Sequence, residues 1–221
     1  MKVALLDGYN LIYRARYSFN KGEYGTSFSF FRSLRPLVEK LDADLVYFVT
    51  EGYPRERFEL YKANRTHHND DNFQEQKKQI INLLKSYFPL FVSRHPFHEG
   101  DDVIANLIKY RHSNDECVVV STDTDFLQLY NCFKNVTIYN PIRKQDMEKP
   151  LFNYVQWKAL RGDSSDNIKG IRGIGDKRAK NLIADQEILN DFLSKDSSHK
   201  KIFEMNLKLI TFADLKNEMD N

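Results

Sequence analysis

Short apolar runs alternate with amphipathic segments along the first 140 residues of the chain. The first two apolar runs end at Asp7-Gly8 and at Glu51-Gly52, and such turns are typical of the ends of buried strands. The predicted strands are residues 3–6, 45–49, 90–92, 117–121 and 136–139. The segments before or between them that have helical spacing are residues 10–16, 28–41, 74–87 and 101–111. This alternation predicts an α/β fold, with a mostly parallel central sheet and helices on both faces.

A different pattern begins after the fifth strand. Residues 154–160 predict a short helix that carries Trp157, which we expect in the core. Residues 162–179 place two aspartates three residues apart, directly before a hairpin punctuated by glycines. Lys177 and Arg178 open the helix that follows. Residues 195–201 predict an exposed loop, and residues 202–221 a helix with a polar end.

Acidic residues follow four of the predicted strands. Because the carboxyl ends of parallel strands share one edge of the sheet, these side chains should lie close together. Any one of them could instead be a turn residue or a helix cap, and Asp101 in particular could cap the helix that begins there. Four placements along one edge favour a common site. The residues are Asp7, Glu51, Glu99, Asp101, Asp102, Asp123 and Asp125.

Crowded carboxylates repel each other unless cations neutralise them. Two hard divalent ions, Mg²⁺ or Mn²⁺, suit oxygen ligands of this kind. The pair Asp163 and Asp166 adds further carboxylates beside a hairpin whose backbone N–H groups can receive a phosphate. A metal beside a phosphodiester predicts phosphoryl transfer.

The charge and cysteine pattern agrees with a nuclease. A net charge of +2 indicates no particular partner, but bases cluster at residues 55–62 and 169–180, apart from the acids. Cys117 lies in an apolar run and there is no CxxC pair, so we expect a buried thiol. The N-terminal apolar run is too short for a signal peptide, and no later run could span a bilayer. We expect a cytoplasmic protein, or an intracellular one of the host if the source is viral.

The segment around Tyr61 and Lys62 has two interpretations. A basic stretch with aromatic residues can follow a nucleic-acid backbone and stack a base. Alternatively, Phe58 and Tyr61 pack a helix against the sheet while Lys62 and Arg65 stay in water. The histidines lack a supporting third metal ligand in sequence and are interpreted as loop residues. They are His67, His68, His95 and His98.

Five motifs in order resemble the flap endonuclease and 5'-3' exonuclease family, which includes the 5'-nuclease domain of bacterial DNA polymerase I and free-standing phage enzymes. The motifs are DGYNLIYRA at 7–15, YKANR at 61–65, EGDDVIA at 99–105, STDTDFLQL at 121–129 and residues 162–179. The resemblance implies a metal-dependent nuclease that uses two divalent ions at DNA 5' ends, flaps or nicks, or on RNA primers. It also implies a chain that acts in replication, and we expect a monomer.

The resemblance also implies roles for individual residues. The metal-organising carboxylates are those at the sheet edge together with Asp163 and Asp166. Lys62 is implied as the catalytic cation near the scissile phosphate, with Arg65 as its companion. Residues 168–180 resemble a helix-hairpin-helix (helix-three-turn-helix) element, which grips duplex phosphates and can hold K⁺ through its carbonyls. The implied DNA contacts are Arg14, Tyr61, Arg172, Gly173, Gly175, Lys177 and Arg178.

On this basis we divide the chain into an α/β nuclease core, residues 1–160, and a helix-hairpin-helix region, residues 161–221. The core includes a short arch region around residues 55–90. Two features depart from the family: Glu51 stands where an aspartate is usual, and the arch is short. An RNA-cleaving nuclease with a related acidic edge, and a branched-DNA-binding protein without turnover, are the alternative functions.

Overall fold

The computed structural model describes residues 1–17, 22–52, 61–62, 70–216 and 218. Arg65, His67 and His68 lie outside the described residues, as does Phe58 with most of the basic segment around it. The predictions made for them stay predictions.

The described residues form a six-stranded sheet around β1. Its order is β3-β2-β1-β4-β5-β6, and all neighbours are parallel except β6, which is antiparallel to β5. In β1, Leu5 lies opposite Tyr47 on one side and Val119 on the other. The strands are β1 (Lys2–Asp7), β2 (Leu45–Thr50), β3 (Phe91–Arg94), β4 (Glu116–Val120), β5 (Val136–Asn140) and β6 (Gln145–Asp146).

Helices cover both faces of this sheet. One face packs against the first three helices through a core that includes Phe30, Phe48 and Ile80. The other packs against the fourth helix and the C-terminal segment, with Ile104 and Leu215 in its core. These helices are α1 (Gly8–Arg16), α2 (Gly25–Leu41), α3 (Asp71–Tyr87) and α4 (Gly100–Tyr110), followed by a 3₁₀ helix (Thr124–Gln128) and α5 (Leu129–Cys132). The predicted α/β architecture is confirmed.

The C-terminal part has a core of its own, formed by residues such as Leu160, Ile171, Leu189 and Phe203. Because the helix that carries Leu160 contributes to this core, it packs with the helices that follow it. The proposed boundary at residue 160 stays a prediction. The elements are α6 (Tyr154–Arg161), β7 (Gly162–Asp163), β8 (Ile168–Lys169), α7 (Asp176–Ile183), α8 (Gln186–Ser194) and α9 (Ser197–Ile210).

One local prediction is wrong, and the one for Trp157 holds in part, because this side chain packs against the edge of the C-terminal core. Residues 195–201 are not a loop, because α9 begins at Ser197 and the Asp196 carboxylate caps it by accepting the Ser198 N–H at 2.7 Å. Trp157 is only half-buried, and its indole N–H donates to Asp176 Oδ1 at 3.1 Å. The neighbouring Lys158 occupies the buried position instead. Within the described residues, no helix is long and apolar enough to cross a membrane.

Candidate active site

Asp7 and Asp123 lie at the carboxyl edge of the sheet and are joined through Ser121. Asp7 Oδ2 accepts the Ser121 hydroxyl at 2.6 Å, and Ser121 Oγ accepts the Asp123 N–H at 3.0 Å. Asp7 also caps α1 by accepting the Asn10 N–H at 3.2 Å. Asp123 caps the 3₁₀ helix through the Asp125 N–H at 2.9 Å. Both residues are therefore helix caps, and the caps also fix their carboxylates at the edge.

The environment of Asp7 opposes its negative charge. Burial raises its pKa most, hydrogen bonds from Ser121 and Asn10 lower it, and the charges of Glu51 and Asp123 raise it again, to about 7. Glu51 follows β2 directly and is exposed. Because Glu51 acts electrostatically on Asp7, the two carboxylates belong to one edge, and a cation placed there would be stabilised.

Three carboxylates at the start of α4 form the α4 cluster: Glu99, Asp101 and Asp102. Their oxygens lie within 4.8 Å of one another. Glu99, rather than Asp101, is the N-cap, so the prediction that Asp101 could cap the helix is wrong. Asp102 completes a capping box by accepting the Glu99 N–H at 3.2 Å, and it accepts the Ala213 N–H at 2.7 Å. Asp102 therefore also holds the C-terminal segment.

Lys62 and Tyr61 meet the α4 cluster. Lys62 Nζ lies 2.5 Å from Glu99 Oε1, and the Tyr61 hydroxyl donates to Glu99 Oε2 at 3.3 Å. Burial alone would lower the pKa of Lys62, but Glu99 reverses this and raises it. Because the Lys62 side chain is only 22% exposed, the interpretation that leaves it in water is wrong.

The backbone at Lys62 is strained. Its φ of 56° is unusual for a residue other than glycine, and its N–H donates to the Asp166 carbonyl at 3.0 Å. This conformation places the ammonium group at the α4 cluster while the backbone is held by Asp166.

A second group of carboxylates surrounds Lys158 and is called the Lys158 cluster: Asp125, Asp163 and Asp166. Lys158 donates to Asp125, and its Nζ lies 2.6 Å from Asp163 Oδ2 and 3.8 Å from Asp166 Oδ2. The lysine side chain is 3% exposed. Burial opposes ionisation of Asp163, but hydrogen bonds from Lys158 and Ser165 lower its pKa to about 2. Burial raises the pKa of Asp125 despite the lysine.

The hairpin between α6 and α7 brings Asp163 and Asp166 to this position. Asp163 pairs with Ile168 in the β7–β8 ladder. Gly162 has a φ of 79°, and a Cβ on Gly170 would lie 2.0 Å from the Arg161 carbonyl oxygen. The glycines therefore allow the hairpin to pack directly against the end of α6, where Lys158 lies.

Both the N-terminal and the C-terminal part of the chain match known protein families. Residues 2–159 match the family described as 5'-3' exonuclease, N-terminal resolvase-like domain, and residues 151–216 match 5'-3' exonuclease, C-terminal SAM fold. A 5'-3' exonuclease of Mycoplasmopsis pulmonis is 30% identical over 93% of this chain and 72% of its own length. The chain belongs to the 5'-3' exonuclease family. It is a nuclease of that family.

Further relatives and solved structures agree with this membership. The thermostable DNA polymerase I of Thermus filiformis is 31% identical over 91% of this chain, which spans 26% of that polymerase. A T5 5'-exonuclease structure with bound zinc has a TM-score of 0.77 at 24% identity, covering 95% of this chain and 89% of its own. Flap endonuclease-1 from Methanococcus jannaschii has a TM-score of 0.58 at 17% identity, covering 96% and 78%. These structures share the fold of this family member.

The predicted DNA contacts of the nuclease fall at three places, one of which is Tyr61 at the α4 cluster. Arg172, Lys177 and Arg178 are exposed around the hairpin and the start of α7, and Gly175 is the N-cap of that helix. Arg178 Nη1 donates to the Gly173 carbonyl at 3.4 Å. Arg14 does not join them, because it lies two turns along α1 from Asp7 and lines a separate cavity.

Another group with metal-ligand chemistry lies beside α4. His95 Nε2 and His98 Nε2 lie 3.0 and 3.6 Å from Glu218 Oε2. However, His95 Nδ1 accepts the Phe97 N–H at 3.2 Å, which places the ring proton on Nε2. The contact between His95 and Glu218 is therefore a hydrogen bond donated by His95 Nε2. Because Nε2 carries the proton, it has no lone pair to offer to a metal.

Lys158 is the residue of the nuclease site that sequence reasoning missed. The sequence gives only a weak indication of this role. Lys158 stands four residues after Tyr154 on the buried side of α6, where a lysine needs acidic partners. The aspartates that supply them follow within the next eight residues or belong to the 121–129 motif.

Proposed function

We propose that the chain hydrolyses phosphodiester bonds of DNA at 5' ends, nicks and flaps, with the help of two divalent cations. The observation that carries this proposal is that two clusters of carboxylates, the α4 cluster and the Lys158 cluster, lie on one edge of the sheet. Each cluster has a lysine among its oxygens. Solved structures of this fold include a complex of the T5 D15 flap endonuclease with DNA and metal ions, at 22% identity. That complex supports DNA as the substrate.

The donor set fits hard divalent ions. Every candidate ligand is a carboxylate, which suits Mg²⁺ or Mn²⁺ better than a soft metal. Burial, together with the charges of Glu51 and Asp123, raises the pKa of Asp7, so a cation beside its carboxylate would be favoured. The α4 cluster would hold one ion and the Lys158 cluster with Asp123 the other, and Asp7 and Glu51 would add their carboxylates at the same edge. When bound, such ions supply an activated water and stabilise the developing charge.

We assign Lys62 to the scissile phosphate. Its ammonium group lies at the rim of the α4 cluster and stays protonated because Glu99 raises its pKa. A phosphate that enters the site meets this charge, and the negative charge that grows during hydrolysis strengthens the contact. Tyr61 would stack on the terminal base, and Arg65 would act beside Lys62 on the same strand.

We assign the hairpin to the duplex. The exposed side chains of Arg172, Lys177 and Arg178 would neutralise backbone phosphates, and the N-terminus of α7 at Gly175 would receive one of them. A bound K⁺ at the hairpin would compete with Arg178 for the Gly173 carbonyl. Because the same hairpin carries Asp163 and Asp166, gripping the duplex would set the position of the cut.

Several coarser expectations are proposals of the same kind. We propose that residues 1–160 act as the catalytic core and residues 161–221 as the duplex-binding region. We further propose that the protein works as an intracellular monomer and accepts RNA–DNA hybrids. The chain spans about a quarter of its DNA polymerase I relatives, so their polymerase activity is not carried over.

The test is cleavage of a 5'-labelled flap duplex by purified protein with Mg²⁺, with Mn²⁺ and with chelator. We expect metal-dependent cuts at the junction, which Asp123→Asn and Asp163→Asn abolish while part of the DNA affinity remains. Normal cleavage by both variants would contradict the metal assignment. Tight flap binding without cleavage in either metal would identify a binding protein.

The same assay with single-stranded RNA separates the remaining alternative. An RNA-cleaving nuclease would cut the RNA faster than the flap. A DNA nuclease with a duplex-binding hairpin should prefer the flap, because single-stranded RNA leaves Arg172 and Lys177 without duplex phosphates.

A further inference from the structure

A cavity of about 390 Å³ lies between α1, α2 and the turn after β5, away from the carboxylates of the active site. Three cationic residues line it: Arg14 from α1, Lys40 from α2 and Lys144 from the turn. No carboxylate is among its lining residues within the described part of the chain. We call it the cationic pocket.

The Arg14 guanidinium in this pocket has an unmet hydrogen bond. Its Nη1 atom is buried and has no hydrogen-bond partner among the described residues. Burial also lowers the pKa of Arg14. A buried charged donor without an acceptor is costly. Nη1 itself is closed off from solvent, but Arg14 lines the pocket, so a negatively charged group bound there would offset the charge of its guanidinium.

Lys40 extends over the same space. Its Nζ donates to the Tyr139 hydroxyl at 2.8 Å, lies 4.4 Å from the centre of that ring, and is 3.4 Å from the Lys144 carbonyl. Within the described residues, no carboxylate lies within ion-pair distance of Lys40, whereas other exposed lysines such as Lys195 pair with a neighbouring acid. The positive charges in the pocket are therefore not neutralised by the described part of the protein.

We infer that the cationic pocket binds a phosphate group. Arg14, Lys40 and Lys144 would supply the charge and the donors, and the apolar walls at Leu37 and Pro141 would contact a sugar or base attached to the phosphate. The phosphate can come from the backbone of bound DNA or from a free phosphate or mononucleotide.

The pocket is distinct from the metal site. Arg14 is seven residues beyond Asp7, which corresponds to about 10 Å along an α-helix. Tyr139, by contrast, connects the cationic pocket to the acidic edge of the sheet. The Ser121 N–H donates to the Tyr139 carbonyl at 3.2 Å, and the Ser121 hydroxyl donates to Asp7. A phosphate in the pocket would thus lie near the cleavage site without touching its carboxylates.

The direct test is calorimetric titration with inorganic phosphate and with deoxythymidine 5'-monophosphate, in chelator so that no metal-bound site contributes. The double variant Lys40→Gln/Lys144→Gln should bind at least about tenfold more weakly than wild type, since hydrogen bonds to charged groups carry this much affinity. The matched control Lys85→Gln/Lys195→Gln removes the same charge from exposed positions elsewhere and should bind like wild type. This readout does not depend on cleavage.

The second arm measures DNA affinity against salt concentration with the same variants, again in chelator. If the DNA backbone supplies the phosphate, the salt slope of the pocket variant should fall by about one relative to the control, because one phosphate contact is lost. Binding of either free ligand that the pocket variant weakens and the control keeps, or this change in slope, supports the pocket and identifies the source. Absence of both overturns it. All four substituted lysines are exposed, so the variants are expected to fold, which thermal unfolding verifies.

Discussion

Replacement of Lys158 by methionine tests the electrostatic organisation of the site. The substitution keeps the length and most of the buried apolar stem but removes the charge that Asp125, Asp163 and Asp166 share. In metal-free protein, three carboxylates would then lie together without their cation. We expect lower stability in chelator and a smaller loss with Mg²⁺, because bound cations neutralise the same oxygens.

The loss of stability expected for Lys158→Met follows from the pKa shift of Asp163 and from the burial of the lysine. The pKa of Asp163 falls from 3.8 to about 2, a shift that corresponds to about 2 kcal/mol and is shared between Lys158 and Ser165. Removal of one member of a buried ion pair typically costs about 3–5 kcal/mol. Because Lys158 also contacts Asp125 and Asp166, we expect a loss of about 3 kcal/mol in chelator at neutral pH.

The pH dependence of stability gives a second test of the Lys158→Met prediction. A depressed carboxylate pKa contributes stability that is present above the unfolded value of 3.8 and is lost as the pH falls through about 2. The difference between wild type and Lys158→Met should therefore shrink as the pH falls from about 4 towards 2.

Urea denaturation in chelator and in Mg²⁺ measures this difference, with Lys195→Met as the control. Lys195 pairs with Asp191 on the exposed face of α8, so its loss should cost less than about 1 kcal/mol. If Lys158→Met were as stable as the control in chelator, Lys158 would not be neutralising the negative charge of the Lys158 cluster, which would contradict its assigned role.

Three further predictions concern other parts of the site. Lys62→Ala should slow single-turnover flap cleavage by roughly 10²–10³-fold with little loss of DNA affinity; an equal loss of both would contradict its role. Gly170→Ala should lower the urea midpoint, because its Cβ would lie 2.0 Å from the Arg161 oxygen. Gly175→Ala has open space and should lower it less, by the loss of a favourable N-cap residue alone. Because the pKa of Asp7 is raised to about 7, wild-type stability in chelator should fall as pH rises from about 4 to 7. Asp7→Asn should reduce that slope, and the raised pKa of Asp125 should leave a remainder of the same sign.

The sheet and its acidic edge could be predicted from the sequence because they follow from simple rules. Residues 3–6 are fully buried, and an uninterrupted apolar run that ends in Asp-Gly is typical of a strand covered on both faces. Parallel pairing then brings Asp7 and Asp123 to one edge whatever the details of the helices. Local pattern and one topological rule are therefore enough to predict the fold class.

The partners of individual side chains could not be predicted in this way. Hydrophobicity alone places Trp157 inside, yet the neighbouring Lys158 is the buried residue. The lysine is buried only because Asp163 and Asp125 reach it from a hairpin and from the segment after β4. Such a contact depends on tertiary geometry, which no periodicity encodes. The prediction for Arg65 lies outside the described residues.

The two lysines give the site a property that its carboxylates alone would not have. Lys158 already neutralises Asp163, so a divalent ion that binds there exchanges one cation for another instead of relieving a bare charge. Lys62 links the two clusters, because its ammonium contacts Glu99 while its N–H is held by the Asp166 carbonyl. Under the proposed assignments, a metal ion that moved Asp166 would also shift Lys62, because the Lys62 N–H donates to the Asp166 carbonyl at 3.0 Å. This backbone hydrogen bond would couple metal occupancy to the position of the cation that we assign to the phosphate.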